Sequence, residues 1–452
     1  MRRLPVLTAC VLFAALPVAS PSAQEPARIA TESYTLPNGL KVILAENHAT
    51  QVVAVDLWYN VGSRNEVAGR TGFAHLFEHM MFQGSAHVKK GEHMALLEHA
   101  GSEGFNGSTA EDRTNYYEPL PSNRLNLGLW LEADRMQSLA ITDSSFQNQR
   151  EAVKEERRLR VDNQPYSRSI FEEAYTLMDP KTCFPYSHSI IGSMDDLNAA
   201  KTADVQAFFD LYYAPNNATL VVAGDFEPTA TKRLIEQYFV PIPRNPRAIP
   251  PVTCQQQFAT GPVRRRVEDK NANLPAVMQI FRVPAYDDPD YPALELLSSI
   301  LGQGESSRLN RVLARETKLA AATPVLLNPF GPRRGPGELL AFAVANQGVA
   351  LDSLDRVLSA ELARVAASGV SDSELVKARN IYRASVITGR QTPLAVAEAL
   401  QSANHFLGSA DAANADFTRH MAVTAADIRR VAAKYLRPEN ALTLLVSAEA
   451  AK

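Results

Sequence analysis

Thr202-Ala-Asp-Val-Gln-Ala-Phe-Phe-Asp-Leu-Tyr-Tyr-Ala-Pro-Asn-Asn-Ala-Thr-Leu-Val-Val222 and Ala425-Ala-Asp-Ile-Arg-Arg-Val-Ala-Ala-Lys-Tyr-Leu-Arg-Pro-Glu-Asn-Ala-Leu-Thr-Leu-Leu445 are two copies of one pattern. At a single constant offset Asp204 meets Asp427, Tyr212 meets Tyr435, Pro215 meets Pro438, Asn217 meets Asn440 and Ala218 meets Ala441. In each copy a helix with Asp at its start ends at a Pro-Asn turn that feeds an apolar strand. The same offset lays Val53-Ala-Val-Asp-Leu-Trp-Tyr59 beside Ala276-Val-Met-Gln-Ile-Phe-Arg282. Three matches in register indicate an internal duplication.

Within each half, strand runs at the start and end flank helical stretches, for example over 124–138 and 371–407. Strands followed by grouped helices predict an α+β fold of two homologous lobes, each a mostly antiparallel sheet covered by helices on one face. Between the copies, residues 239–251 carry five prolines. Proline fixes φ and withholds a donor, so this run reads as a linker. The expected division is a first domain over 27–240, a linker over 241–251 and a second domain over 252–450. Two lobes so joined could close on a cavity between them.

The 452 residues include 46 basic and 49 acidic ones, a net charge of −3. Such a balance offers no global field for DNA or an anionic membrane, so neither nucleic acid nor membrane is an expected partner of the mature chain. Arg2 and Arg3 precede an apolar run from Leu4 to Val18, and small residues follow up to Ala23. That is the pattern of a secretory signal over 1–23, too short to span a bilayer. Export removes Cys10 and leaves Cys183 and Cys254 in an oxidising compartment, where they can pair if the fold brings them together. Neither has zinc-finger spacing.

Chemistry concentrates in Gly72-Phe-Ala-His-Leu-Phe-Glu-His-Met-Met-Phe82. With no internal Gly or Pro it reads as a helix. His75 and His79, four apart, project from one face a turn apart and can grip one cation. Glu78 shares that face and can hold a water against the metal. This His-x-x-Glu-His order is the reverse of the common zincin motif. A catalytic Zn²⁺ takes three protein ligands plus water, so a third ligand is needed. Asn148-Gln-Arg-Glu-Ala-Val-Lys-Glu-Glu-Arg-Arg158 reads as a second helix and offers Glu151, Glu155 and Glu156. Spacing alone does not choose among them.

His75-Leu-Phe-Glu-His79 resembles the pitrilysin-type, inverted-motif zinc metallopeptidases of family M16, the family of the mitochondrial processing peptidases and insulin-degrading enzyme. Arg150-Glu-Ala-Val-Lys-Glu-Glu-Arg-Arg158 resembles that family's third-ligand helix. The Tyr-Ala-Pro-Asn-Asn turn and Gly302-Gln-Gly-Glu-Ser-Ser-Arg-Leu309 extend the likeness over the whole mature chain. The resemblance implies a zinc endopeptidase with one Zn²⁺ on His75, His79 and Glu156, Glu155 being the second choice, and with Glu78 as base. It implies a peptide substrate, while the short Arg-led signal over 1–23 points to export across an inner membrane into the periplasm. It also implies enclosure of the site by a homodimer or by a heterodimer with a related chain, because single-chain relatives hold four lobes.

Gly101-Ser-Glu-Gly-Phe-Asn-Gly-Ser-Thr109 resembles the family segment that leads into an exposed edge strand beside the zinc, and Asn106 and Gly107 are the candidate substrate contacts. Unpaired backbone groups on such an edge accept an extended peptide as another strand. The second half lacks the motif: Ser298 and Gly302 stand where the offset would place His75 and His79, and His405 and His420 are isolated. Two departures from the family pattern are the missing Tyr in residues 313–321, where relatives often place an Arg and a Tyr on the substrate backbone and this chain offers only Arg315, and Gln149, where processing-peptidase relatives often carry Glu. The competing reading is a non-catalytic assembly subunit that keeps the fold.

Overall fold

The computed structural model describes residues 25–255 and 262–448, so the signal expected over 1–23 lies outside the described residues. Among the described residues twelve strands form two sheets. In the first, β1 (Glu32–Thr35), β2 (Lys41–Glu46), β3 (Val52–Tyr59), β4 (Asn106–Thr109), β5 (Thr114–Pro121) and β6 (Ala218–Gly224) lie in the order β1-β2-β6-β3-β5-β4. The second sheet draws on β7 (Val263–Asp269), β8 (Ala276–Val283), β9 (Ala320–Ala322), β10 (Val325–Leu327), β11 (Gly337–Ala345) and β12 (Ala441–Ala448). Its order is β10-β11-β8-β12-β7, with β9 also on β11. Each sheet is antiparallel except for one parallel pair, β2 with β6 and β7 with β12.

From β2 onward the first path, β2-β6-β3-β5-β4, repeats as β7-β12-β8-β11-β10 in the second, as duplication requires, while β1 has no counterpart among the described residues. Asn217 Nδ2 donates to the carbonyl of Tyr212 at 2.8 Å, and Asn440 Nδ2 to that of Tyr435 at 2.9 Å. Each amide thereby ends its helix and aims the next strand into the sheet centre.

The central strands are apolar on both sides, the mark of a sheet covered twice. Val53, Val55, Leu57 and Tyr59 of β3 pack on Leu76, Phe77 and Met80 of the motif helix. Ala54, with Ile43 and Val221, faces the other way onto Ala397 and Leu400 of the helix Pro393–Leu407, which belongs to the second half. Reciprocally, Ala174, Leu177 and Met178 of the first half cover Met278, Ile280, Leu340 and Leu444 of the second sheet. Each sheet thus has its own helices on one face and a segment lent by the other half on the second.

The helical stretch expected over 371–407 is two helices, Asp372–Thr388 and Pro393–Leu407. Gly389 ends the first, and Pro393 sits in the first turn of the second, where its missing N–H costs nothing. Residues 243–255 contain no helix or strand. Near their end Cys254 is bonded to Cys183, which is wholly buried against Tyr186 and Met178.

Candidate metal centre

The motif folds as the helix Phe73–Met80. Phe73, Leu76, Phe77 and Met80 are buried, so the remaining face presents His75, Glu78 and His79. The first amides of a helix have no internal partner. Here the buried carboxylate of Glu66 accepts the N–H of Gly72 and of Ala74 at 2.9 and 2.8 Å and fixes where the helix begins. The second helix, Asp143–Arg157, is started by a reciprocal Thr142–Ser145 cap and anchored by buried Phe146 and Val153. Its last turn brings Glu156 against the motif.

His75 Nε2 stands 3.6 Å from Glu156 Oε2, and His79 Nε2 stands 3.3 Å from the same oxygen. The two imidazole rings meet edge to face with centroids 4.9 Å apart. All three donor atoms lie within 4.8 Å of one another, the one such group of His, Cys, Asp or Glu found among the described residues. Ligands held at about 2.0–2.2 Å in a tetrahedron are about 3.3–3.6 Å apart, so these residues fit a zinc ion in both donor type and spacing. Glu156 Oε1 is held by Arg160 Nε at 3.1 Å, leaving Oε2 for the histidines. Glu155 instead points to Arg158 at 2.9 Å, and Glu151 to Lys154.

Burial, helped by the neighbouring His79, pushes the His75 imidazole down to about 4, which keeps it in the neutral form that a metal needs. Its Nδ1 is buried without a hydrogen-bond partner. Burial lowers His79 as well, but its hydrogen bond to Glu156 and the charges of Glu78 and Glu156 raise it overall. The same hydrogen bond lowers the Glu156 carboxyl, and burial raises that of Glu78. Gln149 also lies against His79.

Glu78 lies beneath β4, the last strand of the first sheet, whose outer side takes no further strand among the described residues. Gly107 is buried there, and a Cβ on it would stand 3.1 Å from Glu78 Cγ. Asn106 points to the other face and is exposed. Thr109, which the sequence reading passed over, donates its hydroxyl to Glu78 Oε2 at 2.6 Å. Beads-on-a-strand alternation was the available signal, since Gly107 and Thr109 must face the same way.

In the second half, Ser298 and Gly302 occupy the corresponding helix, Tyr291–Gly302. A Cβ on Gly302 would lie 2.3 Å from the backbone N of Val325 in β10, so the counterpart of His79 has no room for a side chain. His405 reaches the carbonyl of Asp112 at 3.0 Å, and His420 reaches Glu295 at 3.0 Å. Arg315 pairs at the surface with Glu305 at 2.6 Å.

Residues 41–178 match the family model described as insulinase, peptidase family M16, and residues 200–382 match that of the peptidase M16 inactive domain. The zinc protease PqqE of Helicobacter pylori is 30% identical over 422 residues, covering 92% of each chain. The chain belongs to peptidase family M16. Among solved structures, a chain described as a protease from Helicobacter pylori superposes with a TM-score of 0.87 at 28% identity, over 93% of this chain and all of that one. The periplasmic protease PqqL of Escherichia coli shares the fold, with a TM-score of 0.74 at 19% identity, over 94% of this chain but 48% of its own length. This M16 chain therefore has the two-lobed form and a protease-type relationship in general.

Proposed function

We propose that this chain is a zinc-dependent endopeptidase that cleaves peptides or unfolded segments, with one Zn²⁺ held by His75, His79 and Glu156. The observation that carries the reading is the convergence of three suitable donor atoms within 4.8 Å, next to a carboxylate and an open strand edge. Zinc bound there would lower the pKa of a water toward neutrality and polarise the scissile carbonyl.

The protein's own residues do the rest. An extended substrate aligns along β4, exchanging backbone hydrogen bonds next to Asn106 and Gly107. Glu78 takes the proton of the attacking water and delivers it to the leaving amine. The domain over 27–240 carries this chemistry, and that over 252–450 braces it. His75, His79 and Glu156 keep 13–25% of their side-chain surface exposed, so the site lies open in a single chain. Closure falls to a second copy or a related M16 chain, consistent with the match to half of PqqL. Removal of residues 1–23 would release the enzyme into the periplasm.

The test is metal analysis with a quenched-peptide assay. Hydrolysis should vanish with a chelator and return with zinc, and Glu78→Gln should keep metal and fold but lose turnover. Unchanged turnover in that variant overturns the reading. A chain that holds zinc and cleaves nothing would instead be the non-catalytic partner subunit.

A further inference from the structure

A general base works when its oxygen stays within hydrogen-bond reach of the proton it removes. Glutamate has three side-chain torsions, so a carboxylate on an open helix face samples positions in which it is useless. Glu78 is not left to do so. Thr109 Oγ1 donates to its Oε2 at 2.6 Å, leaving Oε1 to receive a proton. Gly107, two residues earlier on the same face of β4, lets the strand come close enough for that bond.

The backbone that carries Thr109 is itself fixed. The carbonyls of Ala110 and Glu111 accept the N–H groups of Ser63 and Arg64 at 3.2 and 3.0 Å. The Glu111 carboxylate receives Tyr175 Oη at 3.0 Å and Arg333 Nη2 at 2.6 Å, the latter from the second half. The hydroxyl is therefore presented from a turn pinned on both sides.

We propose that Thr109 is a positioning residue for peptide hydrolysis, holding Glu78 in the one orientation that serves the attacking water. This rests on the reading of Glu78 as base. Because the same strand offers its free edge to substrate, base and peptide are registered against one piece of backbone.

The test uses the full mature chain carrying Thr109→Val, which removes the hydroxyl at nearly constant shape, and Thr109→Ser, which restores it. Losing a hydrogen bond to a charged group predicts a drop in kcat of about tenfold or more for the valine variant. KM, zinc content and thermal midpoint should stay at wild-type values, and serine should recover most of the rate. Wild-type kcat in Thr109→Val overturns the proposal, as does a loss accompanied by lower zinc content or stability that serine fails to rescue. If Thr109→Val does not fold, Thr109→Ala is judged by the same readouts. Should the wild-type chain bind zinc yet cleave nothing, the proposed function fails. Crystal structures of the valine variant then decide on Thr109 separately: a displaced Glu78 side chain supports the role, and an unmoved one overturns it.

Discussion

Arg333 Nη2 donates to Glu111 Oε1 at 2.6 Å across the boundary between the halves, with 1% and 0% of the two side chains exposed. Glu338 lies 3.3 Å from the same nitrogen. A buried charge deprived of its partner is far costlier than the pair is beneficial. Arg333→Met should therefore lower unfolding stability by about 3–5 kcal/mol, measured by chemical denaturation. Adding Glu111→Gln should recover part of that loss. An unchanged midpoint in Arg333→Met would mean that the pair does not fasten the halves.

The ligand choice between adjacent glutamates is open to direct measurement. Glu156→Gln removes the oxygen that both histidines approach, whereas Glu155 is a surface partner of Arg158 with 58% of its side chain exposed. Zinc titration should show affinity falling by more than about a hundredfold for Glu156→Gln, beyond what outer partners of a ligand contribute, and by less than about twofold for Glu155→Gln. The reverse order would move the site to Glu155.

Acid should loosen the second half through Asp290. Burial pushes this carboxyl up, but Lys434 at 2.8 Å, Arg430 at 2.5 Å and the Tyr435 hydroxyl at 2.8 Å outweigh it and hold it at about 2. The folded value lies below the unfolded one of about 3.9, so the stabilisation is present above pH 4 and drains away as pH falls toward 2. Asp290→Asn should cost about 1–2 kcal/mol at pH 7, less than full linkage because the cationic partners are half exposed to screening solvent. The gap to wild type should close below pH 4. A gap that stays constant down to pH 2 would assign the effect to packing instead.

Reduction should be felt globally. Cys183 and Cys254 close a loop with a sequence separation of 71, for which chain entropy predicts about 4 kcal/mol of stabilisation. Cys254→Ser should lower the unfolding stability of the protein by that order, and reductant should do the same to wild type but nothing to the variant.

Much of this was legible in the residues. The repeated Asp, Tyr, Pro and Asn positions predicted two lobes of like topology, because each performs a local task that survives in both copies, as Asn217 and Asn440 show. That His75, Glu78 and His79 share one open helix face was readable from helical spacing. Glu156 needed the family resemblance, since three glutamates within two turns satisfy any rule of spacing. Thr109 and Glu66 escaped notice because their contacts depend on tertiary approach: one reaches the helical Glu78 from a strand, and the other caps a helix from outside it. The lent coverings were hidden for a similar reason. An apolar strand declares that both its faces are buried, but not which part of the chain supplies the cover.

That exchange of coverings sets how the molecule can be cut. Severing the gene at the proline-rich stretch would not release a smaller working protease. The leading fragment would leave Ile43, Ala54 and Val221 bare to water, and the trailing one Met278, Ile280 and Leu444, two greasy surfaces that each invite clumping. The half without the His-x-x-Glu-His motif is thus obligatory to the half that has it from the moment of folding, whatever happens later at the peptide bond.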